Sequence, residues 1–224
     1  MERTLGIFAK QPLAGRVKTR LAADSSPEWA CRVCEAFLLD TLDRVRSLAV
    51  RRVLVFDPAE AQAFFRGLVG DHFELEAQAV GDLGVRLAAF FQGQFRGGAR
   101  SVVSIGADSP SLPPEIIAQA FAELARADVV LGPAMDGGYY LLGCRRFVAE
   151  LFQDIPWSLP EVFEATCRRI HAAQLRLALL PPWYDVDTLA DWQMLRGHVA
   201  AMLSAGIDPR LPRTLALLQA DAAK

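Results

Sequence analysis

The sequence has no surplus of positive charge and no long apolar run. Its 24 Lys and Arg residues are slightly outnumbered by 26 Asp and Glu residues, which gives a formal net charge of −2. Affinity for a nucleic-acid backbone needs clustered excess cations, so the composition argues against a general nucleic-acid binder. No segment approaches the roughly 18 consecutive apolar residues that a membrane span requires, and the amino terminus has no signal-peptide pattern. We therefore expect a cytoplasmic protein that does not bind membranes.

Cysteine and histidine are also scarce, with four and three residues. Cys31 and Cys34 form one C-x-x-C pair, but Cys144 and Cys167 are too far apart to complete a zinc site. We interpret the pair as two thiols in or near the core of a helix, with a redox motif as the alternative. The histidines lack the neighbours of a catalytic triad or of a histidine metal site.

What the chain does have is enough apolar material for a packed core. Hydrophobic residues make up 52% of the 224 positions and charged residues 22%, far from the composition of a disordered protein. No repeat, low-complexity tract or flexible linker marks a boundary. We therefore expect a single domain spanning residues 1–224.

Short apolar runs alternate with helical patterns over most of the chain. The strand-like runs are 5–9, 53–56, 73–78, 101–105, 129–131, 139–143 and 175–179, and the helical patterns are 26–45, 83–91, 114–127, 160–172 and a segment after 188. Asp57, Pro58 and Glu60 resemble a capping box before a further helix. This alternation predicts an α/β protein with three α/β/α layers around a mostly parallel sheet.

The loop after the first strand contains four cations within eleven residues, Lys10, Arg16, Lys18 and Arg20, together with Gly15. Ligands of such sheets bind outside the carboxyl ends of the strands, and cations beside glycine N–H groups suit a di- or triphosphate. A merely solvated, charged loop is the alternative. Neither a P-loop nor a G-x-G-x-x-G motif occurs, which disfavours Walker ATPases and ordinary dinucleotide enzymes.

Asp108 follows the strand at 101–105 and stands between Gly106 and Pro110. A carboxylate at the end of a central strand can bind a divalent cation that bridges substrate phosphates. Aspartate also caps turns and helices, so this position alone leaves the two interpretations even.

The segment Asp136, Gly137 and Gly138 precedes two adjacent tyrosines, Tyr139 and Tyr140. It fits either a hairpin turn or part of a site. Adjacent side chains of a strand point to opposite faces, so at most one tyrosine can line a given pocket.

Two further loops leave alternatives open. Asp185 and Asp187 share a face in extended chain and suit a metal ion, but Asp187 or Thr188 could instead cap the next helix. The loop at 78–87 could hold a base or ribose near Arg86, or begin a helix capped by Asp82.

Four blocks taken together resemble a known family: F-A-K-Q-P-L-A-G-R-V-K-T-R-L from Phe8, G-A-D-S-P-S-L-P, D-G-G-Y-Y-L-L-G and D-V-D-T. The chain resembles the small GT-A-fold nucleotide-diphospho-sugar transferases of the arsenosugar-biosynthesis and selenium-domain-associated types. Their relatives include the guanylyltransferases of molybdenum cofactor and phospholactate. The resemblance implies a mixed sheet with one late antiparallel strand, a nucleotide held by the first loop, and Mg²⁺ or Mn²⁺ on the aspartate of G-x-D-x-P.

The resemblance also implies roles for individual residues. Nucleotide and phosphate contacts fall to Lys10, Gly15, Lys18, Arg20, Gln78, Gly81 and Arg86. Acceptor contacts fall to Gly137, Gly138 and Tyr139, catalytic roles to Lys18, Asp108 and Asp136, and metal ligation to Asp108 and Asp187. Ser109 and Pro110 stand where typical GT-A enzymes complete a D-x-D motif, so we take the second metal ligand from the later segment and favour Asp187 over Asp185.

The resemblance, together with these residues, implies a metal-dependent transferase that moves the glycosyl group of a nucleotide-activated sugar to a small acceptor. Nucleotidyl transfer from a nucleoside triphosphate to a sugar phosphate is the alternative, because the same cations and carboxylates would serve it. A nucleotide-binding protein without turnover is a third hypothesis. The apolar stretch from Leu211 to Leu218 could pack on its own domain or on a neighbour in a homodimer.

Overall fold

The structure is a computed structural model that describes residues 2–222, and it contains a seven-stranded sheet with helices on both faces. The strands are Arg3–Lys10 (β1), Arg51–Asp57 (β2), Glu74–Ala77 (β3), Ser101–Gly106 (β4), Val129–Pro133 (β5), Tyr139–Cys144 (β6) and Leu177–Leu179 (β7). The helices are Thr19–Ala23 (α1), Pro27–Val45 (α2), Gln62–Val69 (α3), Leu83–Arg96 (α4), Pro114–Glu123 (α5), Val162–Ala172 (α6), Leu189–Ser204 (α7) and Pro212–Ala222 (α8). Short 3₁₀ turns lie at Ala59–Ala61 and Ala149–Phe152.

The strand order β3-β2-β1-β4-β6-β5-β7 confirms the predicted mixed sheet. β6 runs antiparallel to both β4 and β5, and the other neighbouring strands are parallel. The chain first adds strands on one side of β1 and then crosses to β4 on its other side. The carboxyl ends of β1 and β4 therefore form a switch point, the place where ligands bind in open α/β sheets.

Alternate side chains of the strands enter two separate cores, as a sheet covered on both faces requires. In β2, Leu54 and Phe56 pack with helices α2, α3 and α5, whereas Val53 and Val55 pack with α4 and α6. Burial of these strands on both faces explains why they appear in the sequence as continuous apolar runs.

A third core joins α1, α2, α7 and α8. Leu211 and Leu218 are buried in it beside Phe37 and Trp192, so the apolar carboxyl-terminal stretch packs on its own chain. Asp40 of α2 is fully buried and accepts a hydrogen bond from the Thr214 backbone N–H at 2.8 Å. Asp40 caps α8 although it is far from that helix in the sequence, so the residues just before α8 do not reveal the cap. None of the helices in the described range could cross a membrane.

Side chains close to the helix start cap three of the helices, whereas one expected cap is absent. Ser26 caps α2, Asp82 caps α4, and Thr188 caps α7 in a capping box with Asp191. The expected capping box at Asp57 is wrong: Asp57 ends β2, and α3 begins at Gln62 without a side-chain cap. The Asp57 carboxylate instead pairs with Arg86 at 3.3 Å. A tertiary partner thus replaces the local one that the sequence pattern predicted.

Candidate active site

A cleft of about 620 Å³ opens at the carboxyl ends of β1 and β4. Of the residues expected at a site, the structure brings these to its wall: Lys10, Lys18, Arg20, Gln78, Gly81, Arg86, Asp108, Tyr139 and Asp187. Gly15, Asp136, Gly137 and Gly138 lie outside the lining. The parallel strands bring the loops that follow them to one edge of the sheet, which is why residues far apart in sequence meet here.

Lys18 places its ammonium group at the acidic centre of this cleft. The Lys18 side chain is only 4% exposed, and its Nζ contacts Asp108 and donates to Asp187 Oδ1 at 2.7 Å. It also donates to the Val186 carbonyl at 2.8 Å and lies 5.6 Å from the centre of the Phe37 ring. Burial opposes ionisation, but the carboxylates of Asp108 and Asp187 prevail and raise the pKa of Lys18 above its usual value. The lysine therefore keeps its positive charge.

The backbone at Lys18 helps to aim this side chain. Lys18 has φ 47°, in the left-handed region that is uncommon for a residue with a Cβ, and it is the residue before α1. The preceding Val17 is buried. The loop is thus pinned by an apolar anchor on one side and by the ion pairs of Lys18 on the other.

The late acidic segment is attached to the Asp108 loop through the backbone. The Val186 N–H donates to the Asp108 carbonyl at 2.9 Å, and the Val186 side chain is fully buried in the third core. With Val186 turned inward, Asp185 and Asp187 both reach the cleft wall. Alternation along extended chain therefore delivers two carboxylates to one face, as the sequence predicted.

The two late carboxylates have different environments. Burial, with smaller contributions from the neighbouring carboxylates, raises the pKa of Asp185 to about 6, against a hydrogen bond from the Ser109 hydroxyl. Burial also opposes ionisation of Asp187, but Lys18 and Arg20 lower its pKa below the usual value. Arg20 reaches Asp187 Oδ2 at 2.5 Å. Asp187 is therefore the more readily ionised of the two carboxylates, because Lys18 and Arg20 stabilise its negative charge, whereas burial makes Asp185 harder to ionise.

The arrangement of these aspartates does not match a free metal site. Within residues 2–222, no group of three or more His, Cys, Asp or Glu side chains is placed to hold a metal ion. The expected ligands Asp108 and Asp187 instead share the Lys18 ammonium group. Metal ligation by this pair stays a prediction, and it would require the ammonium group to move.

Arg86 forms a second cationic centre on the wall of the cleft. Its guanidinium donates to Gln78 Oε1 at 2.7 Å and to the Gly81 carbonyl at 3.0 Å, and it pairs with Asp57 at 3.3 Å. Gln78 is held in turn because its amide donates to the carbonyls of Val55 and Ala9 at 2.9 and 3.3 Å. Both ends of the Gln78 amide are thus used within the protein, so Gln78 is suited to hold Arg86 in place and less suited to contact a ligand directly.

The remaining cations of the first loop lie at the rim. Lys10, Arg16 and Arg20 are exposed and line the cleft. Gly15 is exposed at the turn between Leu13 and Arg16, whose backbone groups are joined by a hydrogen bond of 2.9 Å. These rim cations can pair with an anionic ligand without leaving water, which lowers the cost of binding it.

The Asp136 loop is a turn between β5 and β6. Asp136 Oδ1 accepts from the Gly138 N–H at 2.9 Å, and a Cβ at Gly137 would lie 2.1 Å from the Pro160 carbonyl oxygen. Gly137 therefore allows this turn to pack against the segment before α6. The hairpin interpretation describes the turn, and the catalytic and acceptor roles expected here stay predictions.

Tyr139 and Tyr140 point to opposite faces of the sheet, as predicted. Both nevertheless line the cleft, so the expectation that at most one of them could do so is wrong. The Tyr139 ring lies against Trp157, with 6.4 Å between the ring centres. Its hydroxyl is buried without a hydrogen-bond partner in the described part of the chain, and burial raises its pKa above the usual value. Tyr140 packs in the other core and donates to the Pro181 carbonyl at 2.8 Å. Tyr139 thus contributes a ring to the cleft, while its hydroxyl is turned into the core.

Residues near the site that were not expected there include Asp57, Cys34 and Ser158. Asp57 ends β2 beside Lys10, which ends β1, so its position after a predicted strand could have placed it near the site. Cys34 precedes Phe37 by three positions on α2 and so shares its face, also a usable signal. Burial, assisted by Asp108, raises the pKa of the Cys34 thiol to about 12. Ser158 reaches the cleft from an irregular segment that carries no periodic pattern.

Comparison with known proteins identifies relatives over nearly the whole chain. A crystal structure from Desulfovibrio desulfuricans G20, provisionally described as a nucleotide-diphospho-sugar transferase, is 30% identical, covers 98% of each chain and has a TM-score of 0.88. Rv0371c of Mycobacterium tuberculosis H37Rv in complex with manganese is 17% identical over 87% of this chain and 98% of that one, with a TM-score of 0.55. A CMP:2-keto-3-deoxy-manno-octonic acid synthetase complexed with CTP is 13% identical over 90% and 99%, with a TM-score of 0.57. No curated protein matches the chain.

The architecture is thus a nucleotide-diphospho-sugar transferase fold with its cleft at the switch point of the sheet. The profile of DUF2064, described as uncharacterized protein conserved in bacteria, matches residues 41–159, and the chain belongs to this family.

Proposed function

We propose that this protein is a divalent-cation-dependent transferase that takes a nucleotide-activated sugar and moves its glycosyl group to a small acceptor. The observation that carries the proposal is the meeting of the basic first loop and Asp108 in one cleft at the switch point of the sheet. The D. desulfuricans relative, which covers 98% of this chain, supports the same class. The resemblance to arsenosugar-biosynthesis-type and selenium-domain-associated glycosyltransferases adds the expectation of glycosyl transfer.

The charges of the cleft suit a reaction that builds negative charge on a leaving diphosphate. In glycosyl transfer, the bond between the anomeric carbon and the diphosphate oxygen breaks, and its electron pair leaves with the nucleoside diphosphate. The acceptor oxygen forms the new bond to carbon and gives its proton to water. Fixed cations stabilise the charge that develops on the leaving oxygens, and this stabilisation is usually the largest catalytic contribution. We assign this role to Lys18, Lys10 and Arg20, and the holding of the nucleotide to Arg86.

A divalent cation belongs to the proposal because of the family resemblance and the manganese complex with the same fold. When bound, such an ion would neutralise diphosphate charge beside Asp108.

Nucleotidyl transfer is the second candidate, and the CTP complex of the synthetase with this fold favours it. In that reaction a sugar phosphate oxygen attacks the α-phosphorus of a nucleoside triphosphate, and pyrophosphate leaves. The same cations would stabilise the pyrophosphate, so the two reactions differ in their substrates more than in the residues that they require.

The test begins with a thermal-shift screen of nucleoside di- and triphosphates, each with and without Mn²⁺, because a ligand that binds the folded state raises its melting temperature. Protein is then incubated with nucleoside diphosphate sugars together with small hydroxyl compounds as acceptors and assayed for released nucleoside diphosphate. It is separately incubated with triphosphates plus sugar phosphates and assayed for pyrophosphate. Glycosyl transfer predicts product only in the first assay. Product only in the second assay selects nucleotidyl transfer.

The matched variants for this test are Asp108→Asn and Glu115→Gln. Each removes one carboxylate charge, but Glu115 lies on α5 and outside the cleft lining. The proposal expects Asp108→Asn to lose turnover and Glu115→Gln to retain it. A protein that binds nucleotides but yields product from no substrate pair would instead be a binding protein without turnover.

A further inference from the structure

The central lysine of the cleft is already fully engaged by protein groups. Lys18 Nζ contacts Asp108, donates to Asp187 at 2.7 Å and donates to the Val186 carbonyl at 2.8 Å. An ammonium group has three N–H donors, so these partners use all of them. In this state Lys18 offers no donor to a phosphate.

The same contacts engage the two carboxylates that the family resemblance assigns to a metal ion. A divalent cation and an ammonium group compete for the same lone pairs, and they also repel each other at short range. The buried ammonium group lowers the affinity of this pair for a metal unless the group moves away. Removal of the lysine would have the reverse effect, because Asp108, Asp185 and Asp187 would then line the cleft without their central cation.

We propose that Lys18 is a built-in competitor of the divalent cation: it occupies the shared position of Asp108 and Asp187 until the diphosphate of a substrate draws its ammonium group away. The proposal rests on the proposed function in assigning both a metal and a nucleotide to this cleft.

The structure favours such an exchange over a permanent ion pair. Asp108 is about half exposed, with its side chain at 52%, so an entering ligand can reach this end of the ion pair. The rim cations Lys10, Arg16 and Arg20 line the same cleft and can bring a diphosphate to it. When phosphate oxygens replace the carboxylates beside Lys18, the ammonium group still has anionic partners. The exchange therefore does not leave an unpaired buried charge.

Competition makes the binding of the metal and of the diphosphate cooperative. Each ligand favours the conformation in which the ammonium group has left the carboxylates, so each raises the affinity of the protein for the other by the same factor. When the metal binds without a diphosphate, part of its binding free energy is used to displace Lys18. The apparent affinity of the protein for the metal is therefore reduced.

The first experiment measures Mn²⁺ binding without nucleotide, from the loss of the free Mn²⁺ signal in electron paramagnetic resonance. We expect weak binding by the wild type and binding at least about tenfold tighter by Lys18→Met, which keeps the apolar stem beside Phe37 and removes the charge. The double variant Lys18→Met/Asp108→Asn should lose the gain. Arg96→Met removes one exposed cation of α4 outside the cleft lining and should bind Mn²⁺ as the wild type does. Equal affinity of wild type and Lys18→Met, or an equal gain in Arg96→Met, overturns the proposal.

The second experiment uses the wild type alone and decides the matter if Lys18→Met fails to fold. A buried, hydrogen-bonded ammonium group exchanges its protons slowly enough for its resonance to be followed by ¹⁵N nuclear magnetic resonance. We expect Mg²⁺ alone to leave the Lys18 ammonium resonance in place, and a nucleoside diphosphate to move it even without metal. A shift caused by Mg²⁺ alone at the same concentration overturns the proposal, as does binding of a diphosphate that leaves the resonance unmoved.

The two experiments separate this proposal from the proposed function. If no nucleoside diphosphate binds, the proposed function fails, and the Mn²⁺ comparison still decides whether Lys18 competes with a metal. If nucleotides bind and react but Lys18→Met gains no Mn²⁺ affinity, the competition is wrong and the transferase assignment stands.

Discussion

Gln78→Ala tests whether the way in which Arg86 is held matters for nucleotide binding. The substitution removes the hydrogen bond of 2.7 Å between the Arg86 guanidinium and Gln78 Oε1. Hydrogen bonds to charged groups contribute about 1.5–3 kcal/mol when well buried. Arg86 is 23% exposed and keeps its contacts with Asp57 and Gly81, so we expect about 1 kcal/mol here. This corresponds to nucleotide binding about fivefold weaker.

The assay is calorimetric titration of the nucleotide that performs best in the thermal-shift screen. It compares the wild type with Gln78→Ala, Arg86→Ala and the double variant. If Gln78 acts only through Arg86, the double variant binds no more weakly than Arg86→Ala, because the second substitution has nothing left to disturb. The control is Gln92→Ala, which lies on α4 like Arg86 but outside the cleft lining, and it should bind the nucleotide as the wild type does. Losses that add in the double variant would refute this reasoning and indicate a direct contact between Gln78 and the ligand.

Three further predictions concern stability and reactivity. Asp40→Ala removes a fully buried carboxylate that caps α8 through Thr214. Urea denaturation should show a free energy of unfolding lower by about 3 kcal/mol. A loss below about 1 kcal/mol would contradict the capping role. Gly137→Ala forces a Cβ to 2.1 Å from the Pro160 carbonyl oxygen at φ 90°, and should cost at least about 1 kcal/mol, with a lower melting temperature; an unchanged melting temperature would show that the turn relaxes freely. Burial raises the pKa of the Cys34 thiol to about 12, so the thiol stays protonated at pH 8. It should react with iodoacetamide far more slowly than the cysteines of the unfolded chain until the pH approaches about 12. Equal reaction rates at pH 8, measured by peptide mapping, would contradict the raised pKa.

Part of the candidate site followed from position along the chain. Lys18 and Asp108 lie in the loops that follow the predicted strands 5–9 and 101–105, Arg86 lies in the first turn of the predicted helix 83–91, and all three line the cleft. Their approach was predictable because parallel strands align their carboxyl ends. The Asp136 loop follows a strand in the same way, but the antiparallel β6 makes it a tight turn, and the glycines of that turn lie outside the cleft lining.

Other features depended on partners that no local pattern identifies. Asp57 had the neighbours of a helix cap, yet it pairs with Arg86 of α4. Gln78 occupied a plausible ligand position, yet its amide is used by Ala9 and Val55. In both cases the residue type was suitable for more than one hydrogen-bond partner, and three-dimensional proximity selected among them.

The sequence by itself determined the α/β architecture, the order of most strands and helices, and which loops could carry phosphate or metal chemistry. These properties follow from apolar periodicity and from caps within a few residues, which are local in the chain. Only the tertiary structure decided that the Lys18 ammonium group lies between Asp108 and Asp187, with 169 positions separating Lys18 from Asp187. A buried charge takes the partners that folding brings within contact distance, and that distance is a property of the packed chain and not of any segment of it.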